Sequence, residues 1–166
     1  MPGIPGGVVA PPVGLRLEAD LGLTLPFGQR VTFGDLRGAP ALLVLVPGAF
    51  TPLCGSELRD VAAERKSLAP ARVLVVSCDT AATLDAWRAS EAVDVEVASD
   101  HWPHGAVSRI LAGFDDATGW SLRRTVLLDD SGTVVWTDLA PGGRARDVGD
   151  AVTAVAALAR PTGDGR

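Results

Sequence analysis

Residues 41–54 have the sequence ALLVLVPGAFTPLC, and this stretch determines the fold that we predict. Its first part, Ala41–Val46, is continuously apolar and bounded by proline on both sides, which is typical of a strand buried on both faces of a sheet. Thr51-Pro52 then predicts the start of a helix, because threonine is a good N-cap and proline at the first helical position loses no needed hydrogen bond. Apolar residues recur at helical spacing as far as Leu68, so the helix is expected to end near there.

The rest of the chain alternates strand-like apolar runs with helical patterns. Downstream, the predicted elements are a strand at Arg72–Cys78, a helix at Ala81–Ser90, a strand at Val93–Ala98, a short helix at Gly105–Leu111, strands at Arg124–Asp129 and Thr133–Asp138 around the turn Asp130-Ser131-Gly132, and a helix at Arg146–Arg160. Upstream, Leu21–Leu25 and Arg30–Phe33 form a predicted hairpin. A strand–helix–strand unit is parallel and right-handed, whereas the late hairpin must be antiparallel. The expected fold is therefore α/β and thioredoxin-like: a mixed central sheet flanked by helices, with an N-terminal β-hairpin extension.

Length and composition limit both the number of domains and the function. The 166 residues carry a net charge of −5, and the basic residues are scattered, so one domain is expected and nucleic-acid binding is not. The apolar runs are far shorter than the roughly 20 residues of a membrane span. The N-terminal residues lack the pattern of a secretory signal. We predict a flexible leader at residues 1–14, one domain at 15–160, a flexible tail at 161–166, and a cytoplasmic location with reduced thiols.

Functional residues are expected at the carboxyl ends of the central strands, where open α/β sheets place their sites. That edge of the predicted sheet carries Pro47–Cys54 and Ser77–Asp79. Cys54 falls in the first turn of the predicted helix, where unpaired amide groups and the helix dipole favour a thiolate. From this position alone, Cys54 is either a reactive thiol or an inert buried cysteine.

The residues around Cys54 resemble the active-site motif of the peroxiredoxins, Pro-x-x-x-Thr-x-x-Cys. Pro47, Thr51 and Cys54 match this motif, and Glu57 also agrees with the family. The family's active-site arginine precedes a late strand in an Arg-x-Thr-apolar pattern. The sequence RRTV at residues 123–126 fits that pattern and selects Arg123.

A second stretch makes the resemblance more specific. Residues 99–108, SDHWPHGAVS, closely resemble the corresponding segment of one-cysteine peroxiredoxins of the alkyl hydroperoxide reductase E type. The resemblance covers about residues 13–158. Two segments depart from the family: Ala19-Asp20-Leu21 lacks the usual proline, and Ala112-Gly113-Phe114 stands where Tyr-Gly-Val is usual. These departures concern substrate preference and oligomer contacts, since neither includes a matched catalytic position.

The resemblance implies a thiol-dependent peroxidase that reduces hydrogen peroxide and organic hydroperoxides. The Cys54 thiolate would attack the peroxide and become a sulfenic acid, which an external thiol, such as a thioredoxin- or mycoredoxin-like reductant, would recycle. Arg123 and Thr51 would stabilise the breaking O–O bond, and Pro47 would form a wall of the pocket. Glu57 would orient an arginine; the alternative is a solvated helix residue. No cofactor is implied, and a homodimer is expected.

Five other residues admit a structural and a functional interpretation. Cys78 ends a predicted buried strand, so we interpret it as a small apolar residue and predict no resolving cysteine. Asp100, His101 and His104 are too few to predict a metal site, and none is expected. By the resemblance, Trp102 and His104 would shape the rim of the peroxide or reductant pocket.

Two other functions are compatible with the predicted fold. A thiol–disulfide oxidoreductase would need Cys-x-x-Cys, but Cys54 is followed by Gly-Ser-Glu, which excludes the usual dithiol mechanism. A non-enzymatic redox sensor or holdase-type interaction protein would keep the fold without needing Thr51, Cys54 and Arg123 together. Their joint presence favours the peroxidase.

Overall fold

The computed structural model describes residues 11–111, 114–140 and 143–160. The predicted tail, most of the predicted leader and the departure at residues 112–113 lie outside these ranges. At the end of the predicted leader, the Gly14 amide donates to the Val134 carbonyl, and the Val134 amide donates to the Leu15 carbonyl, both at 2.8 Å. These bonds attach the chain to the sheet from Gly14 onward.

Strands and helices alternate through the described residues much as predicted. The strands are β1 Gly22–Thr24, β2 Arg30–Thr32, β3 Ala41–Leu45, β4 Arg72–Ser77, β5 Glu96–Ser99, β6 Phe114–Asp115, β7 Trp120–Ser121, β8 Arg124–Leu128 and β9 Val134–Leu139. The helices are α1 Pro52–Ala63, α2 Ala81–Ser90, α3 Ala106–Leu111 and α4 Val148–Ala159, with a short 3-10 turn at Pro26–Gly28. None of the helices described is both long and apolar enough to cross a membrane.

Seven strands form one mixed sheet in the order β2-β1-β5-β4-β3-β8-β9. The three strands β3, β4 and β5 are parallel, whereas β8 pairs antiparallel with both β3 and β9. The N-terminal hairpin of β1 and β2 extends the same sheet through an antiparallel pairing of Thr24 with Ser99. The predicted mixed sheet and hairpin extension are therefore confirmed.

Every residue of β3 is buried, because packed elements cover both faces of the sheet. Ala41, Leu43 and Leu45 pack in one hydrophobic layer, which includes residues of α3. Leu42 and Val44 pack in a second layer with residues of α1, α2 and α4. We call these two sides the α3 face and the α1 face. Since side chains alternate along a strand, the register of each strand decides which face its residues reach.

The helix after β3 is shorter than the sequence predicts. It ends at Ala63, and the Arg65 amide donates to the Ala62 carbonyl at 3.3 Å in the tightened turn that follows. Leu68, whose spacing suggested a longer helix, is fully buried but lies in the turns that lead to β4. The apolar pattern therefore detected its burial correctly and its secondary structure incorrectly.

Three further boundaries or elements differ from the prediction. The strand β5 begins at Glu96 rather than Val93. The last helix begins at Val148, because the Asp147 carboxylate accepts the Gly149 amide at 2.8 Å and caps it there. The small antiparallel pair of β6 and β7 was not predicted, since strands of two residues are too short to show a period.

Gly105, directly before α3, provides a test of packing on the α3 face. Its φ is +73°, and a Cβ there would lie 2.4 Å from the Phe114 ring, whereas Gly119 has the same φ with nothing within 4 Å. We expect Gly105→Ala to lower the free energy of unfolding by about 2–4 kcal/mol, from left-handed strain and overpacking. Gly119→Ala should cost about 1–2 kcal/mol, from strain alone. Urea unfolding measures both, and equal losses would contradict the proposed packing.

Candidate active site

Cys54 follows the carboxyl end of β3, as predicted, and is the third residue of α1. Its side chain is 3% exposed and packs in the hydrophobic layer of the α1 face. The first backbone bond of the helix runs from the Gly55 amide to the Thr51 carbonyl, at 2.9 Å. The amides before Gly55 therefore have no acceptor within the helix, and together with the helix dipole they form the positive end of α1 beside Cys54.

Thr51 occupies the N-cap position of α1, but its side chain does not cap the helix. The hydroxyl instead donates to the Gly48 carbonyl at 3.1 Å. The sequence thus predicted the helix start correctly and the hydrogen bond of Thr51 incorrectly. Because the hydroxyl proton is used in this bond, the Thr51 oxygen keeps lone pairs that can accept another hydrogen bond.

Glu57 lies one helical turn after Cys54 and is completely buried, so the interpretation as a solvated residue is wrong. Its carboxylate pairs with Arg123, and it accepts the Arg146 amide at 3.0 Å and the Arg146 guanidinium at 3.2 Å. Burial raises the pKa of Glu57, but the Arg146 charge and hydrogen bonds from both arginines outweigh burial and leave the pKa below its usual value. One ionised carboxylate therefore neutralises two arginines only in part.

Arg123 precedes β8 and reaches the α1 face, where its Nη2 donates to Glu57. The side chain is 11% exposed, and its buried Nε and Nη1 atoms make no hydrogen bond within the described residues. Arg124, the next residue, bonds to Thr137 on β9 at 3.2 Å. Alternation along β8 directs Arg124 to the opposite face. Arg123 therefore offers two unused donor nitrogens in a guanidinium that Glu57 holds in place.

Arg146 is a buried part of this site that the sequence analysis missed. Its guanidinium donates to the Leu45 carbonyl at 2.7 Å, the Thr125 hydroxyl at 3.0 Å and the Arg124 carbonyl at 3.1 Å. It therefore joins the ends of β3 and β8 to Glu57. Nothing in its local sequence distinguishes it from the exposed Arg144 nearby, so it was assigned only to the start of the last helix.

Pro47 and the predicted rim residues lie at the same edge of the sheet. Pro47 is half-buried between β3 and the loop that leads to Thr51. Trp102 and His104, on the loop from β5 to α3, are exposed and stack edge to face with ring centroids 4.7 Å apart. Neither ring makes a hydrogen bond with Cys54, Thr51 or Arg123 among the described contacts. Their position is compatible with a rim, and their role there stays a prediction.

Both cysteines are free thiols, and the sheet separates their surroundings. Cys54 packs on the α1 face, whereas the Cys78 sulfur lies 3.6 Å from the hydroxyl of Ser108 in α3. Burial raises the pKa of Cys78, and the nearby Asp100 and Asp79 carboxylates act in the same direction. A raised pKa and the opposite face support the prediction that Cys78 does not resolve Cys54.

The chain is similar to known proteins over most of its length. Residues 15–137 match the model of the AhpC/TSA family. The chain belongs to this family, the peroxiredoxins. It is 35% identical over 134 residues to the alkyl hydroperoxide reductase E proteins of Mycobacterium tuberculosis and Mycobacterium bovis, covering 78% of this chain and 87% of theirs. It is 30% identical to alkyl hydroperoxide reductase C of Bacillus subtilis over 131 residues, covering 76% of this chain and 70% of that protein.

Solved structures of peroxiredoxins have the same fold as this chain. A peroxiredoxin-like protein from Aquifex aeolicus superposes with a TM-score of 0.77 at 21% identity, covering 92% of this chain and 90% of its own. Peroxiredoxin Q from Xanthomonas campestris superposes with a TM-score of 0.69 at 26% identity, covering 84% and 90%. The predicted thioredoxin-like fold is confirmed.

Two features outside the peroxiredoxin motif do not form a second site. In the part of the chain that the structure describes, no group of three acidic, histidine or cysteine residues could hold a metal ion. The Asp100 carboxylate accepts the amides of Val107 and Ser108 at 3.2 and 2.7 Å.

A cavity of about 330 Å³ opens at the other end of the sheet, where Arg72 pairs with Glu96 at 2.5 Å. Its charged groups are therefore already partnered.

Replacing Glu57 tests the buried charge cluster of this peroxiredoxin. We expect Glu57→Gln to lower the free energy of unfolding by about 3–5 kcal/mol at pH 7, because two buried arginines lose their counter-charge. The lowered pKa of Glu57 means that its carboxylate stabilises the fold above the unfolded pKa and that this contribution is lost as the pH falls through the folded pKa. The difference in unfolding free energy between the parent and Glu57→Gln should therefore shrink below about pH 4.

Urea unfolding at a series of pH values measures this effect. The matched control is Asp60→Asn, which removes an exposed carboxylate from the same helix and should change stability by less than about 0.5 kcal/mol. If the difference in unfolding free energy between the parent and Glu57→Gln stays constant from pH 7 to pH 3, Glu57 is not ionised in the folded protein.

Proposed function

We propose that this chain is a thiol-dependent peroxidase that reduces hydrogen peroxide and organic hydroperoxides through Cys54. The observation that carries this proposal is the arrangement of Arg123. Its guanidinium is held by the buried Glu57, one turn after Cys54, while Nε and Nη1 have no partner within the described residues. Unused donors of a fixed guanidinium on the face that holds Cys54 suit a peroxide, because N–H groups can donate to the sulfur and to the peroxide oxygens.

The reaction follows from the groups at this edge of the sheet. The Cys54 thiolate attacks the terminal oxygen of the hydroperoxide, forming an S–O bond while the O–O bond breaks. The leaving oxygen takes up a proton and departs as water or alcohol, and the sulfur remains as a sulfenic acid. Thr51 accepts the hydrogen of the bound peroxide, Arg123 stabilises the charge that spreads over the breaking bond, and Pro47 limits access of water to the sulfur.

Most of the rate enhancement must come from these donors. An ordinary thiol of pKa about 8.5 is only about 3% thiolate at pH 7, so complete ionisation gains roughly 30-fold. A more acidic thiolate is also a weaker nucleophile, and this returns about tenfold of the gain. Ionisation alone therefore contributes a factor of only a few. Donors fixed around the O–O bond supply the remainder, since they need not reorganise during the reaction.

A complete cycle needs an external reductant. One thiol attacks the sulfenic acid, releasing water and forming a mixed disulfide, and a second thiol restores Cys54 and leaves as a disulfide. We propose a thioredoxin- or mycoredoxin-like protein as the source of these thiols, and a cytoplasmic location that keeps them reduced. We propose a homodimer as the functional form, and the loop that carries Trp102 and His104 as the rim that the reductant meets. No cofactor is required.

The first test replaces each cysteine separately. We expect Cys54→Ser to abolish reduction of hydrogen peroxide, because the attacking sulfur is lost. Cys78→Ser should keep most of the activity, because that thiol faces α3 and its pKa is raised by burial. Single-turnover stopped-flow, following tryptophan fluorescence of the reduced protein, measures both. Equal losses in the two variants would exclude the one-cysteine mechanism, and a parent chain that does not turn over peroxide would favour a non-enzymatic sensor or holdase.

The second test separates the role of Arg123 from that of charge alone. We expect Arg123→Lys to slow Cys54 oxidation by peroxide on the order of 10- to 1,000-fold, because an ammonium is a point charge on a flexible stem and cannot replace the fixed donors of a planar guanidinium. Its matched control is Arg124→Lys on the opposite face of β8, which should react at nearly the parent rate. Second-order rate constants with hydrogen peroxide measure the difference. A large loss in Arg124→Lys with none in Arg123→Lys would reverse the assignment.

A further inference from the structure

The loop that carries Thr51 is attached to the neighbouring strand by a single acidic side chain. The Ala49 amide donates to Oδ2 of Asp79 at 2.7 Å. The same oxygen accepts the hydroxyl of Ser77 at 2.6 Å, and the Asp79 amide donates back to the Ser77 hydroxyl at 3.0 Å. Ser77 is completely buried at the end of β4, so this carboxylate is fixed relative to the sheet.

The loop needs such an attachment because its conformation is unfavourable. Phe50, directly after Ala49, has a φ of +58°, and its side chain is 58% exposed. A left-handed conformation costs a residue with a side chain about 1–2 kcal/mol, and an exposed ring recovers little of this by packing. The hydrogen bond from the Ala49 amide to Asp79 holds the Gly48–Ala49 peptide, which lies one residue before this strained position.

Asp79 also connects the loop to the predicted rim. Its carbonyl accepts the hydroxyl of Ser99 at the end of β5, and the same hydroxyl accepts the His101 amide at 3.2 Å. The carboxyl ends of three parallel strands thus meet through one residue. Asp79 makes no hydrogen bond with Cys54, Arg123 or Glu57 in the described residues, so it can act on the reaction only through the backbone it holds.

We propose that Asp79 is a positioning residue for the peroxidase reaction. Its carboxylate fixes the Ala49 peptide, which in turn sets the Gly48 carbonyl that receives the Thr51 hydroxyl. Without the Asp79 carboxylate, the loop relaxes at Phe50. The Thr51 oxygen then moves away from the bound peroxide. This inference rests on the peroxidase function proposed above.

The test compares Asp79→Ala with Asp79→Asn. Both hydrogen bonds to the side chain use Oδ2, so asparagine can place its carbonyl oxygen there, whereas alanine removes the acceptor. We expect Asp79→Ala to lower the second-order rate constant with hydrogen peroxide by roughly 100-fold, the effect of a displacement of about 1 Å in a reacting group. Asp79→Asn should stay within about fivefold of the parent.

Two readouts separate positioning from a general loss of structure. Alkylation of Cys54 by iodoacetamide at fixed pH should change less than about threefold in both variants, because Asp79 does not contact the sulfur or Arg123. Hydrogen exchange of the Ala49 amide should accelerate in Asp79→Ala and remain slow in Asp79→Asn. The control Asp85→Ala, which removes a carboxylate paired with Arg88 on α2, should leave the peroxide rate unchanged.

The outcomes distinguish this inference from the proposed function. A parent chain that does not react with peroxide overturns the function and the inference together, while Ala49 exchange still reports whether the attachment exists. A reactive parent and an Asp79→Ala variant of equal rate overturn the inference alone. Equal losses in the alanine and asparagine variants would also overturn it, since the acceptor position would then not matter. If Asp79→Ala does not fold, Asp79→Ser replaces it, because a serine hydroxyl is too short to reach the Ala49 amide.

Discussion

The buried carboxylate of Glu57 is the interaction on which the rest of the site depends. It lies on α1 and pairs with Arg123 before β8 and with Arg146 before α4. Without this carboxylate, two cations would lie uncompensated in a layer of apolar side chains, at a cost of about 3–5 kcal/mol. Because one negative charge meets two positive ones, the cluster keeps a net positive charge beside the turn that carries Cys54. The same arrangement thus stabilises the fold and holds Arg123 in place for the role proposed above.

The sheet separates the two cysteines from each other, and it separates two neighbouring arginines in the same way. Cys54 and Arg123 lie on the α1 face, and Cys78 and Arg124 lie on the α3 face. A shift of one residue in the register of β8 would exchange the two arginines. The antiparallel pairing of β8 with β3 prevents that shift, because five consecutive buried pairs fix the register. Strand pairing therefore selects which of the two arginines reaches the α1 face, where Cys54 and Glu57 lie.

Much of this molecule could be predicted from local sequence, and the exceptions have physical reasons. An apolar run predicts the strand β3. A threonine followed by a proline, a few residues later, predicts the start of α1 and so the extent of the loop between them. The burial of Glu57 and the role of Arg146 could not be predicted in this way, since the two residues are 89 positions apart. The hydrogen bond of the Thr51 side chain could not be predicted either, because a capping bond and a bond to Gly48 are both available to a threonine in that position.

The order of these contacts along the chain has a consequence for synthesis. Glu57 emerges from the ribosome 66 residues before Arg123 and 89 residues before Arg146. At about 5–20 residues per second, Cys54 spends several seconds or more in a nascent chain that lacks both arginines. In the mechanism proposed above, Cys54 lacks the donors of Arg123 throughout that interval. In that mechanism, reaction with peroxide begins only after most of the domain has been made, so the unfinished chain is spared oxidation at Cys54.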